Sequence, residues 1–454
     1  MKRLWLIITI LSLLCILGLG ALFFWIAQME PGGSATSDDA TGRLTQLKSE
    51  LTRGYHTAAV LRQFKDADPE SVLLVIQNEW ELRPTGGFMT AFGEGEIVNG
   101  GLTNLRIVPS EYFDPQISLK APMPAGMAYR ITTPTLAMRD SNWDVDFATT
   151  AATLGRYYQD ATGKTPDLVI AITTEAAEHV LAHTGPLDFT VNGHTLSVTS
   201  QTVTETLENY TDQSFRELGL EWETRKQILS AFGEALLPRL HAFVKEHPVD
   251  TLRLANELLA SYDVQLWSAQ PSLAQHLASL GAAQTVAATG TTDGLLIVDA
   301  NVGARKTNRV LQQRADYRVD LGAAQPTATL HITYTHTGTL EPTIIEYYDT
   351  VRIYVPQGST LLTQENLDHV QTYIRHGRTV FEGRLRVPVG SSKTITLSYV
   401  LPNRVATTEF AQYRLLLERQ PGSANYPVQV TVFDGAQKAT IDTDVAHDRT
   451  IAVQ

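Results

Sequence analysis

The chain has 454 residues and a formal net charge of -12, with 43% hydrophobic and 19% charged residues. That length accommodates two or three domains, each with a full core. The acidic balance, with no basic run of five, argues against nucleic acid as a partner, because a phosphate backbone rewards clustered Lys and Arg.

After Lys2 and Arg3, residues 4–29 carry no charge. At 1.5 Å per residue such a run crosses a hydrocarbon core of about 30 Å. The flanking positive charges stay inside, which predicts a single-pass protein of the bacterial cell membrane with a cytoplasmic N-terminus and the bulk of the chain extracytoplasmic. The apolar run continues through Phe23, Phe24 and Trp25 beyond Gly18-Leu19-Gly20, favouring an uncleaved anchor over a cleaved signal peptide. Cys15 falls inside this span, so the exported part is expected to lack disulfides. With Lys2 and Arg3 set aside, that part holds 34 positive residues against 48 negative ones.

Residues 30–42, rich in Gly, Ser, Thr and Asp, read as a linker. Leu44, Leu47, Leu51, Tyr55, Ala58, Leu61 and Phe64 then recur at spacings of three and four, the mark of a helix with one buried face. Strands are expected at 71–77, 88–98 and 101–108, the last two joined by the hairpin dipeptide Asn99-Gly100. An irregular, proline-rich stretch runs from 109 to 146. A helix from about Phe147 to Ala161, a buried strand at 167–172 and a helix at 174–183 follow. This alternation predicts an α/β layered domain. Residues 200–282 read as a helical insertion, interrupted by Pro238 and Pro248, before the apolar strand Gly294–Ala300. From Tyr317 onward, short alternating segments separated by turn residues predict an all-β, immunoglobulin-like sandwich. The expected organisation is therefore a cytoplasmic tip and anchor (1–29), a linker (30–42), an α/β domain with stalk helix and insertion (43–316), and a sandwich (317–454).

Three segments carry candidate chemistry. In Gln77–Phe88 (QNEWELRPTGGF), Arg83 sits beside Thr85-Gly86-Gly87, with Glu81 close by in sequence. Glycines let successive N–H groups converge while a guanidinium supplies charge, which suits an anion at the strand end where open α/β sheets place ligands. A tight turn with Glu81 and Arg83 on its surface is the plainer alternative. MRDSNWDVDF places Arg139, Asp140, Asp144 and Asp146 within eight residues. Asp140, Asp144 and Asp146 suit an oxygen-seeking ion, Mg²⁺ or Ca²⁺. Equally, Asp140 or Asp146 caps the following helix, or an Arg139–Asp140 pair is shared with the first loop. NVGARKTN offers Asn301, Arg305 and Lys306 after a strand, either completing a phosphate site or forming a solvated connection. His179 and His183, one helical turn apart, read as half-exposed helix residues. No GxSxG elbow, P-loop or cysteine nucleophile is present.

These same segments, with PDLVIAI, HTGPLDF, HITYTHTG, VRIYVPQGS, LSYVLP and the ERQPG at Glu418–Gly422, resemble a bacterial family of single-pass membrane proteins, domain of unknown function 4012. The resemblance names no reaction. The order of strand, arginine loop, later Arg-Asp segment and PDLVIAI is more faintly similar to the LytR-CpsA-Psr proteins, membrane-anchored phosphotransferases that attach lipid-linked glycopolymers to the cell wall. That similarity implies that Arg83 and Arg139 grip a pyrophosphate and that Asp140 holds a metal or accepts a proton. Their Arg-x-Asp-Thr signature is replaced here by Arg83-Pro84-Thr85. Two functions follow as expectations: binding of an anionic or glycan ligand in envelope assembly, or metal-assisted phosphotransfer or pyrophosphohydrolysis on a lipid-linked glycopolymer.

Overall fold

The computed structural model describes residues 52–453, apart from 61, 64–69, 99–100, 215–216, 218, 220–226, 324 and 407–409. The expected anchor at 4–29 with Cys15, the linker at 30–42 and the Asn99-Gly100 turn lie outside the described residues. Among those described, no helix is long and apolar enough to cross a membrane.

The chain forms two compact units, each gathered from separate stretches. The first holds the described residues up to Gln77, Met89–Ser118 and Ala151–Ala283. Its sheet contains β1 (Glu70–Asn78), β2 (Phe88–Val98), β3 (Gly101–Pro109) and β4 (Leu168–Thr173). A separate hairpin comprises β5 (Leu187–Val191) and β6 (His194–Val198), turned by Asn192 and Gly193 with φ of 49° and 80°. The sheet is completed by β7 (Val264–Ser268), in the order β3-β2-β1-β4-β7. β1 and β4 are parallel, Val72 opposite Leu168. Their near-continuous apolar character is what a strand covered on both faces requires. The helices Glu175–Thr184, Gln227–Glu246, Pro248–Ala260 and Pro271–Ser279 contribute Val180, Leu240, Leu254 and Leu273 to a core shared with Val72 and Ile170. The stretch 200–282, read as a helical insertion, also contains β7, which pairs antiparallel with β4. Five residues between two amphipathic helices are too few for a period-two pattern to stand out.

The second unit holds Asn78–Phe88, Leu119–Thr150 and Gln284–Gln454. Its strands are β8 (Asp293–Val298), β9 (Leu311–Asp320), β10 (Thr327–His336), β11 (Tyr347–Pro356), β12 (Thr360–Glu365) and β13 (Asp368–Arg375). They continue with β14 (Arg378–Val387), β15 (Ser392–Val400), β16 (Arg414–Glu418), β17 (Pro427–Asp434), β18 (Gln437–Asp444) and β19 (Arg449–Ala452). Two six-stranded sheets result, β12-β15-β10-β9-β17-β18 and β13-β14-β11-β8-β16-β19. Alternate residues such as Ala328, Leu330, Ile332 and Tyr334 of β10 meet Val351, Ile353 and Val355 of β11 in one core. The expected boundary at 316/317 is displaced. β8 pairs antiparallel with β11 and parallel with β16, so residues from 284 belong to the β-rich unit. Six consecutive buried residues in β8 have no alternation by which to distinguish a sheet centre from a parallel α/β strand.

Candidate functional site

From Asn78 onward, all three candidate segments belong to the second unit, and they meet there. The Asn78 side chain accepts the Trp80 N–H at 3.0 Å and opens a single 3-10 turn over Glu79–Glu81. The chain then bends, Gly86 N–H donating to the Arg83 carbonyl at 3.0 Å. Asn301 N–H donates to the Leu82 carbonyl at 3.0 Å, and Leu82 N–H to Asn308 Oδ1 at 3.2 Å. Arg83 Nη1 donates to the Asn301 carbonyl, and Nη2 lies 3.6 Å from Asp140 Oδ1. Asn142 Nδ2 donates to the Gly87 carbonyl at 2.8 Å and to Thr85 Oγ1 at 3.2 Å. Thus the QNEWELRPTGGF, RDSNWDVDF and NVGARKTN segments are sewn together by hydrogen bonds among themselves.

The seam points inward. The Arg83 side chain is 1% exposed, and Thr85, Gly86, Gly87, Asn301 and Lys306 are all buried. Asn301 spends its side chain on the Arg305 carbonyl, Asn308 and Gly303 N–H. A Cβ on Gly87 would overlap the Asn78 carbonyl, and one on Gly422 would overlap the carbonyl of Gly86. The two loop glycines therefore admit backbone against backbone, where the sequence suggested converging N–H groups around an anion. Glu81 and Arg139 are half-buried, while Arg305 is exposed and donates to the Ala304 carbonyl at 2.7 Å.

The three carboxylates expected to share an ion act separately. Asp140 faces Arg83. Asp146 caps the helix Phe147–Thr162, its Oδ1 accepting from Thr149 N–H and Oγ1 at 2.9 Å each. Asp144 receives Arg375 Nε at 2.9 Å and His376 Nε2 at 2.8 Å. Burial raises the Asp144 pKa, but the hydrogen bonds from His376 and Arg375 outweigh it and hold the carboxyl below its usual range. The same hydrogen bond lifts His376 above the ordinary imidazole value. Among the described residues, no group of three or more His, Cys, Asp or Glu is placed to hold a metal ion. In the first unit, His183 pairs with Glu257 at 2.9 Å and His179 lies 3.3 Å from Asp263.

The centre of the seam was not foreseen. Gln420 Nε2 donates to the carbonyls of Arg83 (3.2 Å) and Asp299 (2.7 Å), while its Oε1 accepts Asp299 N–H at 2.8 Å. Next to it, the fully buried Asp299 accepts from Tyr334 OH at 2.7 Å, and Asp349 accepts Ala300 N–H at 2.6 Å. Burial pushes both carboxyls up, and the neighbouring Asp299 raises Asp349 further. The ERQPG turn and the aspartates of IVDAN and YYDTV were the visible signals; no spacing rule links them across more than a hundred residues.

The family model described as a protein of unknown function (DUF4012) matches residues 67–211, so the resemblance to that family holds over this span. No curated protein matches the chain. Among solved structures, similarity is found to protein gbs0355 of Streptococcus agalactiae, 10% identical, covering 49% of this chain and 75% of that one at a TM-score of 0.32. TagV of B. subtilis is 13% identical, with 50% and 87% covered and a TM-score of 0.27. A structure of TagT bound to LI-WTA is 11% identical, with 48% and 77% covered and a TM-score of 0.25. These neighbours are LytR-CpsA-Psr proteins. Likeness at this level carries no inference about chemistry.

Proposed function

We propose that this chain is a membrane-anchored, extracytoplasmic protein of the bacterial cell envelope that binds an anionic or glycan ligand during envelope assembly. In this reading, the first unit is LytR-CpsA-Psr-like and the β-rich unit an immunoglobulin-like sandwich. The charge-free run at 4–29 behind Lys2 and Arg3 supports the anchor and its orientation. The observation that weighs against catalysis at this loop is the state of Arg83. An arginine that stabilises charge on a transferring phosphate must aim its donors at the ligand. Here Nη1 faces the Asn301 carbonyl, Nη2 faces Asp140, and the side chain is sealed from solvent. The phosphotransferase or pyrophosphohydrolase alternative, with Arg83, Arg139, Asp140 and Mg²⁺ or Ca²⁺, would need this loop to open first.

The test is turnover of a lipid-linked glycan pyrophosphate by the full chain in detergent with Mg²⁺. The expected result is no turnover, alongside retention of the chain on an immobilised anionic glycan. Turnover that disappears in Arg83→Ala while the melting temperature stays put would replace the binding reading with the enzyme.

A further inference from the structure

The outer face of the second sheet carries arginines laid on tyrosine rings. Tyr348 of β11 stands opposite Arg386 of β14, and Thr350 opposite Arg384. The Arg130 guanidinium lies 3.8 Å and that of Arg386 6.0 Å from the Tyr348 ring centre. Arg384 lies 4.4 Å from the ring of Tyr129, whose hydroxyl is fixed on the Asp349 carbonyl at 2.9 Å. Stacking restricts each guanidinium while leaving its N–H edge open, so little side-chain entropy remains to be lost when an anion arrives.

Arg386 shows what such an edge takes. Its Nε and Nη2 donate to the two oxygens of Glu346 at 2.9 and 2.7 Å, and Tyr348 OH donates to the same carboxylate at 2.6 Å. Those bonds pull the Glu346 pKa down to about 2. Arg130 is exposed and Arg384 half-exposed; among the described residues neither forms an ion pair, Arg384 reaching only the Ala125 carbonyl at 3.5 Å. Arg130 shares the Tyr348 ring with the filled clamp and adds its charge to the field on Glu346, while Arg384 stands on a ring of its own with no carboxylate opposite it.

We propose that this face binds an acidic polysaccharide through carboxylates of the uronate type, Arg130 and Arg384 each engaging one as Arg386 engages Glu346. The proposal rests on the binding reading above and gives it a place. A planar carboxylate presents two oxygens to the guanidinium fork, which is the geometry Glu346 already displays. Arg384 and Arg386 are two residues apart on one strand, roughly 7 Å, so the open guanidinium stands directly beside the one whose carboxylate geometry it would repeat. The chain's net charge of -12 opposes a polyanion at long range, so contact is short-ranged and weakens with salt.

The experiment is affinity electrophoresis of the full chain in detergent through gels containing polygalacturonate, neutral dextran or inorganic polyphosphate. Retardation by polygalacturonate but not dextran is expected. Arg130→Ala combined with Arg384→Ala should weaken it about tenfold or more. Arg384→Lys, which keeps the charge but loses the fork, should weaken it less than Arg384→Ala but not match the parent. Arg130→Gln, at an exposed position, serves as the single variant should the double one lower the melting temperature. Undiminished retardation of folded variants would remove this face while leaving the binding reading intact. No retardation by any anionic polymer would remove both, and equal retardation by polyphosphate would overturn the carboxylate class.

Discussion

A guanidinium as deeply buried as that of Arg83 is stable only while its partners stay in place. Arg83→Ala would leave Asp140 buried opposite nothing and release the Asn301 carbonyl. The expected loss is about 3–5 kcal/mol, read by urea denaturation of the full chain. The buried Asp299 and Asp349 make a second prediction, with the opposite polarity to a surface ion pair. A carboxyl that holds its proton more tightly in the folded chain stabilises the fold below its unfolded value of about 4, and that stability is lost as pH rises through the folded value. Both are raised. Asp349→Asn keeps an oxygen for the Ala300 N–H and removes the titration, so stability should fall less steeply with rising pH than in the parent chain. Melting temperatures measured from acidic to neutral pH check this.

At the scale of elements, tight turns carry the contacts. Gly422, at φ 69°, lies against the carbonyl of Gly86. Gly422→Ala combines a strained backbone, about 1–3 kcal/mol, with a steric overlap, and should lower the melting temperature more than Gly435→Ala, where a Cβ meets open space at a similar φ of 57°. The β13–β14 turn places His376 and Gly377 at φ 49° and 68° and thereby brings His376 onto Asp144. The raised His376 pKa gives stability that is present below about 6.5 and lost as pH rises through the folded value. The lowered Asp144 pKa gives stability that is present above about 4 and lost on acidification. His376→Gln should flatten the alkaline side of the stability profile and leave much of the acid side, where Arg375 still pairs with Asp144. The strands of the β-rich unit were legible because alternation such as that of β10 has one reading. β7 and β8 were not, one being too short and the other apolar on both faces. A link between the Arg-Asp segment and the first loop was among the readings of the sequence, though the pair formed is Arg83 with Asp140. That the three loops face inward depends on Gln420 and the β11 aspartate, which local sequence cannot bring to mind.

At the scale of the molecule, the units are interleaved along the chain. A fragment starting at 317 would lack β8, the strand between β11 and β16, and with it the carboxylate of Asp293 that accepts from Tyr317 and Tyr413 at 2.8 and 2.6 Å. It should remain unfolded by circular dichroism. Even a fragment from 284 would lack Asn78–Phe88 and Leu119–Thr150, and should be less stable than the same residues in the full chain.

The bond from Gln420 to the Arg83 carbonyl joins residues 337 apart. The Arg83 loop is synthesised long before the residue that holds its carbonyl. Closing so distant a contact is slow, and the waiting segments expose apolar strand edges meanwhile. Completion of the fold would then wait on the C-terminal ERQPG turn, because the glutamine that holds the Arg83 carbonyl belongs to it.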